Sequence, residues 1–142
     1  MMFQLVGLLL FVTSALASTH SGSVPATIQL TNPILSSDSS LARDLMAGEQ
    51  ILVETTAYRP PYYNDTEPLP FVAIIETRDS EGATLSIAFQ SGTLMANERA
   101  AIGTSWTPPE AGIYYLRAFA ISELGEKSII LSTPVQSTVT VV

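Results

Sequence analysis

The chain has 142 residues, with six Lys and Arg residues against thirteen Asp and Glu residues, one His and no Cys. This length favours a single domain, and the net charge of −7 argues against nucleic acids and anionic membranes as partners. Without Cys there is no disulfide framework, zinc cluster or thiol nucleophile, and a lone His argues against most metal sites and acid–base chemistry.

The first 17 residues form an uncharged apolar segment that ends in Ala15-Leu16-Ala17. A membrane-spanning helix needs about 20 apolar residues, and the small-x-small ending is the pattern that a signal peptidase cuts. We therefore predict a signal peptide over 1–17, a flexible leader over 18–23 and a folded domain over 24–142. The protein is then secreted or associated with the cell surface, with no transmembrane anchor after cleavage.

Beyond the leader, apolar and polar residues alternate with the period of two that is typical of strands. Asn32-Pro33 ends the first strand, Ser39–Met46 has the composition of one or two helical turns, and Gly103 inside the fifth strand predicts a bulge. Seven strands separated by turn signals indicate an all-β, two-sheet antiparallel sandwich. The predicted strands are Val24–Leu30, Ile51–Tyr58, Phe71–Arg78, Ala83–Gln90, Ala100–Trp106, Ile113–Ile121 and Val135–Val142.

A short motif runs from Glu110 through Gly112 to Tyr114, with Trp106 just upstream. Its acid-x-Gly-x-Tyr spacing resembles the tyrosine corner of immunoglobulin-like domains, in which the Tyr hydroxyl bonds back to the backbone. From Leu45 to Val142 the chain resembles small secreted archaeal proteins that contain one Ig-like domain. The resemblance implies structural roles for Tyr114, Trp106 and Gly112, and it leaves the immunoglobulin and fibronectin type III strand orders open.

An inward Tyr114 determines where the rest of its strand points, because successive side chains face opposite sides of a sheet. Leu116, Ala118 and Ala120 then point inward as well. The outward side is unusually apolar for a solvated sheet face, so we predict a docking or self-association surface there. The alternative is a scatter of surface apolar residues covered by Ser122–Ser132. The outward residues are Ile113, Tyr115, Arg117, Phe119 and Ile121.

In an Ig-like layout the B–C, D–E and F–G loops gather at one end of the sandwich. The B–C loop contains Arg59, Tyr62 and Tyr63, and Tyr-rich loops on a rigid scaffold make good recognition surfaces. The alternative is that these aromatic side chains cap the open end. Asn64-Asp65-Thr66 in the same loop is an acceptor for N-glycosylation, and a glycan there would shield the two tyrosines.

We expect no enzymatic activity, cofactor or metal. His20 lies in the leader, and Glu54 and Glu76 face solvent from different sheets, which does not suit a glycosidase. The leading hypothesis is a secreted, non-catalytic adhesion or recognition module that binds a protein or glycan at the cell surface. One alternative is a structural subunit of an extracellular filament or coat, assembled through Val24–Leu30. Another is an extracytoplasmic chaperone-like accessory. The proposed binding residues are Arg59, Tyr62, Tyr63, Tyr115, Arg117 and Phe119.

Overall fold

A computed structural model of the protein describes residues 28–36, 44–61, 66–124 and 128–142. These residues form strands and no helix, which confirms the predicted all-β class. Consequently, nothing in the described ranges is a helix that could cross a membrane. The strands are β1 Gln29–Leu30, β2 Ile34–Ser36, β3 Ile51–Tyr58, β4 Leu69–Arg78, β5 Thr84–Leu94, β6 Arg99–Trp106, β7 Gly112–Leu124, β8 Ser128–Leu131 and β9 Val135–Val141.

The smaller sheet, which we call sheet A, is built around β3. Strand β6 pairs antiparallel with one edge of β3, and both β1 and β2 pair antiparallel with the other edge. The predicted stop at Asn32-Pro33 is thus an interruption, after which the chain resumes as β2. Thr31 bridges the gap, since its Oγ1 accepts a hydrogen bond from Thr56 N at 2.9 Å and its carbonyl accepts one from Thr55 Oγ1 at 2.6 Å.

The larger sheet, sheet B, has the order β5-β4-β7, with β8 and β9 sharing the far edge of β7. Strand β8 was not predicted, because four residues are too few to show an alternating pattern. Ser132 connects it to β9: its N–H donates to Ala120 O at 2.8 Å, and its Oγ accepts from Ala120 N at 2.8 Å. The Ser132 Oγ therefore supplies the acceptor that the Ala120 N–H needs at the point where the edge strand is interrupted.

The position of β5 resolves the strand order that the sequence left open. In constant-type immunoglobulin domains the fourth strand pairs with the fifth, in the sheet of the first two strands. Here β5 instead pairs with β4 along the whole of its length, from Leu94 opposite Leu69 to Thr84 opposite Arg78. Strands β4 and β5 correspond to the third and fourth of the seven predicted strands. The arrangement is therefore the fibronectin type III alternative, in which the fourth strand belongs to the same sheet as the third.

The core between the sheets is organised around the end of the β6–β7 connection. Tyr114 is buried, and its hydroxyl donates to the carbonyl oxygen of Glu110 at 2.8 Å. Its ring meets that of Trp106 edge to face, with centroids 5.0 Å apart. Gly112, the first residue of β7, lies against the same ring: a Cβ there would be 3.8 Å from Tyr114 Cε2. The predicted corner geometry is present.

The alternation along β7 follows from this corner. Leu116, Ala118 and Ala120 are buried with Tyr114, whereas Ile113 is exposed and the intervening residues are half-buried. The inward residues pack with Val53, Ala57 and Ile102 of sheet A in one cluster. A buried aliphatic side chain contributes about 1.5–3 kcal/mol, so this side of β7 is fixed by the core.

Two local predictions need correction. No bulge occurs at Gly103, because β6 keeps a continuous register against β3, and the irregularity lies between Thr77 and Arg78 instead. A Cβ at position 103 would stand 3.4 Å from Leu52 Cδ1, which is an ordinary van der Waals contact, so packing does not require a glycine there. Most of the predicted helical turn at Ser39–Met46 lies outside the described residues. Its end is not helical, since Leu45 forms a parallel bridge to Val141.

The corner hydrogen bond gives a stability prediction. Tyr114→Phe removes the donor to Glu110 O while keeping the ring in the core, so the free energy of unfolding should fall by about 1 kcal/mol. Urea unfolding measures this. Tyr115→Phe is the matched control, because the Tyr115 hydroxyl has no hydrogen bond to any described residue. Equal losses in both variants would contradict a specific role for the corner.

Candidate binding surfaces

The outer face of sheet B is the side of that sheet turned away from sheet A. Strand pairing determines which residues lie on it, since residues opposite one another across antiparallel strands point to the same side. It combines the predicted residues of β7 with residues of β4, β5 and β8 that the sequence did not assign to a common surface. Its large apolar and charged members include Ile87, Phe89, Val72, Ile74, Glu76, Arg78, Ile113, Tyr115, Arg117, Phe119, Ile121, Glu123, Ile129 and Leu131.

The apolar members of this face are contiguous. Ile74 lies opposite Phe89 on one side and Phe119 on the other, and it is almost fully buried between these neighbours. In the adjacent row Ile121 lies opposite both Val72 and Leu131. Phe89 is 69% exposed and Leu131 is 63% exposed. We call this set (Val72, Ile74, Phe89, Phe119, Ile121 and Leu131) the apolar strip.

A charged cluster borders the apolar strip. Glu76 Oε2 accepts a hydrogen bond from Arg78 Nε at 3.1 Å and lies 2.9 Å from Arg78 Nη2. The same oxygen is 3.5 Å from Arg117 Nη1, and the Arg117 guanidinium stands 5.5 Å from the centre of the Phe119 ring. One carboxylate therefore faces two guanidinium groups, which leaves a positive surplus at this border in a chain of net charge −7.

The outer face of sheet A is more polar. Strand β3 presents Leu52, Glu54, Thr56 and Tyr58 there, opposite Ser105, Gly103, Ala101 and Arg99 of β6. Arg99 lies over the Tyr58 ring at 4.5 Å. An antiparallel sheet with one solvated face is expected to look like this. By contrast, the apolar strip is typical of surfaces that bind another molecule.

The segment Ser122–Ser132 does not cover the apolar strip in the part of the chain that the structure describes. Its first residues continue β7 to Leu124, and its last residues form β8 at the edge of the same sheet. Ile129 and Leu131 are thereby added to the outer face, both well exposed. The alternative of a covering segment is not supported by these residues.

Arg59, a predicted ligand contact, lies inside the molecule. It is 2% exposed, and its Nη1 donates to the carbonyl oxygens of Glu67 and Leu94, both at 2.6 Å. Its backbone is also held, because Arg59 N donates to Glu98 O and its carbonyl accepts from Asn97 N. Burial lowers the pKa of the guanidinium. Arg59 thus fastens the β3–β4 loop to the β5–β6 turn and offers no guanidinium to a ligand.

The same contacts show that the β3–β4 and β5–β6 connections lie at one end of the sandwich, as the sequence predicts. Tyr62, Tyr63 and Asn64 lie outside the described residues. Their roles in binding and glycosylation stay predictions. Of the six proposed binding residues, the structure brings Tyr115, Arg117 and Phe119 together on the outer face of sheet B.

The carboxylates that the sequence analysis considered for a glycosidase can now be located. Glu54 and Glu76 lie on the outer faces of different sheets, as predicted, and therefore do not face each other. The prediction that Glu76 faces solvent is wrong, because Glu76 is buried and its carboxylate is paired with Arg78 and Arg117. No group of three or more His, Asp or Glu side chains within those residues could hold a metal ion.

Only part of the apolar strip could be predicted from the sequence. Ile87 and Phe89 alternate with Ala88 and Gln90 in β5, but alternation alone does not show which side meets solvent. Pairing with β4 turns Ile87 and Phe89 outward. The ion-pair cluster was missed because Glu76 and Arg117 are far apart in sequence and become neighbours only through the register of β4 on β7.

No known family model matches the chain, and no curated protein is similar to it in sequence. Solved structures do resemble it, and two of them have TM-scores above 0.5. The C-terminal domain of wzt is 11% identical with a TM-score of 0.59, and the match covers 83% of this chain and 75% of that one. The CARDB domain of a Pyrococcus furiosus protein, solved with di-metal ions, is 12% identical with a TM-score of 0.51, and the match covers 84% and 97%. At such low identities these likenesses show the fold: an Ig-like β-sandwich.

Removing the Arg59 guanidinium should destabilise the domain strongly. Arg59→Met keeps the apolar stem but leaves two carbonyl oxygens without their charged donor, so we expect a loss of at least about 2 kcal/mol in the free energy of unfolding. Arg99→Met is the control, because Arg99 is exposed on the outer face of sheet A. Chemical denaturation measures both. An Arg59→Met domain as stable as Arg99→Met would contradict the fastening role.

Proposed function

We propose that the protein is a non-catalytic recognition module that binds another protein through the outer face of sheet B. The observation that carries this proposal is the apolar strip, which is contiguous across four strands and rests on the hydrogen-bonded sheet. A surface built on paired strands changes shape little on binding, so little ordering entropy is lost there. Tyr115, Arg117 and Phe119 belong to this surface.

The composition of the face favours a protein partner over a glycan. Ile74, Ile121 and Leu131 offer no hydrogen-bond donors or acceptors in their side chains, whereas a sugar needs its hydroxyl groups satisfied. The cores of protein interfaces, by contrast, are apolar and carry aromatic and Arg residues. The positive surplus of Arg78 and Arg117 over Glu76 suits a partner with an acidic side chain beside its apolar patch.

The site of action that we propose is the cell surface or the extracellular space. This part of the proposal rests on the apolar segment Met1–Ala17 and its Ala15-Leu16-Ala17 ending, which lie outside the described residues. N-glycosylation at Asn64 belongs to the same proposal, since it requires export.

Neither alternative gains support from the described residues. A filament subunit that donates Val24–Leu30 to a neighbour would need this strand free, yet Gln29 and Leu30 pair with Tyr58 and Ala57 of the same chain. No feature of the sheets favours a chaperone-like role over simple recognition. We therefore keep the recognition module as the proposed function.

A photo-crosslinking amino acid tests where the partner binds. Placed at position 119 in cells that export the protein, it should capture the partner, because Phe119 lies in the middle of the apolar strip. At position 52, on the outer face of sheet A, it should capture none. Phe119→Ser should then weaken binding of the purified partner by at least about tenfold, the loss of one buried aromatic anchor.

Leu52→Ser is the matched control for that affinity measurement, because it removes an exposed apolar side chain from the other sheet. Capture at position 52 alone, or equal affinities for the two variants, would overturn the assignment of the binding face. Specific binding to a glycan array that is insensitive to Phe119→Ser would overturn the protein partner.

The proposed export can be tested at the N-terminus of the protein. The secreted protein should begin at Ser18, because cleavage follows Ala17, and Ala17→Leu should slow processing by removing the small residue that the peptidase recognises. Mass spectrometry of the protein from the medium and the cell envelope measures the new N-terminus. A protein retained in the cytoplasm with Met1 intact would contradict export.

A further inference from the structure

The molecule has four sheet edges, and within the described residues three of them are interrupted or covered. Pro33 separates β1 from β2 at one edge of sheet A. At the other, the Gly103 N–H of β6 donates to the Gln90 side chain at 3.4 Å. On sheet B, Thr133-Pro134 separates β8 from β9, and the end of β9 is covered where Val142 N donates to Leu45 O. Such devices keep an edge from pairing with another chain.

Strand β5 forms the fourth edge and has none of these devices along its regular part. It runs unbroken from Thr84 to Leu94, and its sequence, TLSIAFQSGTL, contains no proline and no charged residue. Among the described residues it pairs only with β4. Its single irregularity lies near its start, at the pairing with Thr77 and Arg78. At about 3.4 Å per residue this edge is some 35 Å long.

We propose that β5 pairs antiparallel with β5 of a second copy, so that the two B sheets join into one continuous sheet around a two-fold axis near Phe89. This proposal goes beyond the recognition function and does not depend on it. A two-fold axis perpendicular to the sheet lets one strand serve as its own partner. It also brings the outer faces of both copies to the same side, which extends the apolar strip across the dimer.

The charge distribution favours a second copy of the chain as the partner that pairs with β5. The chain has a net charge of −7, so two copies repel each other wherever carboxylates meet. At β5 no carboxylate is present on the strand, and the nearest one on the outer face, Glu76 opposite Ile87, is already paired with Arg78 and Arg117. The carboxylates that flank the strand in sequence, those of Asp79, Glu81 and Glu98, lie beyond its two ends and away from the axis near Phe89. A charged peptide would find no complementary charge along β5. An identical uncharged strand meets backbone groups and apolar side chains that match its own.

The exposed side chains of β5 support the same partner. Phe89 is 69% exposed, and Leu85 and Ile87 are also exposed, all apolar groups at a free edge. With Phe89 at the axis, the Phe89 side chains of the two copies lie opposite each other, and Ile87 of each copy is a diagonal neighbour of Phe89 in the other. Cross-strand aromatic and aliphatic pairs of this kind stabilise antiparallel pairing.

A charge-swap experiment tests the dimer. The purified protein should sediment at twice the monomer mass, whereas Phe89→Lys and Phe89→Glu should each weaken dimerisation by at least about tenfold, since like charges then meet near the axis. Mixing the two variants should restore a heterodimer, because Lys faces Glu across the axis. Restoration by mixing also shows that both variants are folded.

Ile34→Lys is the matched control, because Ile34 is 62% exposed on β2, an edge strand of sheet A, and its substitution should leave the dimer intact. A monomeric wild-type protein, or Phe89 variants that dimerise like the wild type, would overturn the proposal. So would variants that separate but fail to recombine on mixing. These measurements use the purified protein alone, so their failure leaves the proposed partner binding by Phe119 to be judged separately.

Discussion

The inward orientation of Tyr114 is the constraint on which the rest of the structure depends. Its hydroxyl is held by Glu110 O and its ring by Trp106, so the start of β7 cannot rotate without losing both contacts. An edge-to-face aromatic pair contributes about 0.5–1.5 kcal/mol beyond its buried area. Because side chains alternate along a strand, this one residue sends Leu116 into the core and Phe119 to the outside. The central strand of sheet B therefore carries core residues on one side and the proposed binding surface on the other.

Strand pairing places the outward residues of β7 beside outward residues of the neighbouring strands, and together they form the outer face of sheet B. Strand β4 lies beside β7 and brings Ile74 against Phe119, while β5 adds Phe89 on the far side of Ile74. None of these neighbours is close to Phe119 in sequence. The same pairing places Glu76 between Arg78 and Arg117, which neutralises the carboxylate and concentrates positive charge at one border of the strip. The proposed recognition function and the proposed dimer both use this sheet, the first its face and the second its edge.

Much of the fold could be predicted from the sequence because it depends on local signals. The period of two located the long strands, and the spacing of Glu110, Gly112 and Tyr114 located the corner and the direction in which β7 points. The short strands β2 and β8 could not be predicted, since three or four residues show no period and are held by a neighbour. The prediction that Arg59 contacts a ligand was wrong for a related reason. Its partners are the backbone carbonyl oxygens of Glu67 and Leu94, and no residue type in the sequence indicates such backbone partners. Only the β7 residues of the outer face could be predicted, because their apolar side follows from alternation along one strand. The contributions of β4, β5 and β8 depend on the register between strands, which the sequence does not show.

The most direct measurement of this account is the accessibility of methyl groups along β7 and its neighbours to a soluble paramagnetic agent, observed by NMR. The account predicts strong relaxation for Ile113 and Leu131, which are exposed on the outer face, and protection for Leu116, which is fully buried on the same strand as Ile113. The opposite pattern, with Leu116 relaxed and Ile113 protected, would mean that Tyr114 faces solvent. The binding face and the orientation of sheet B would then both be wrong.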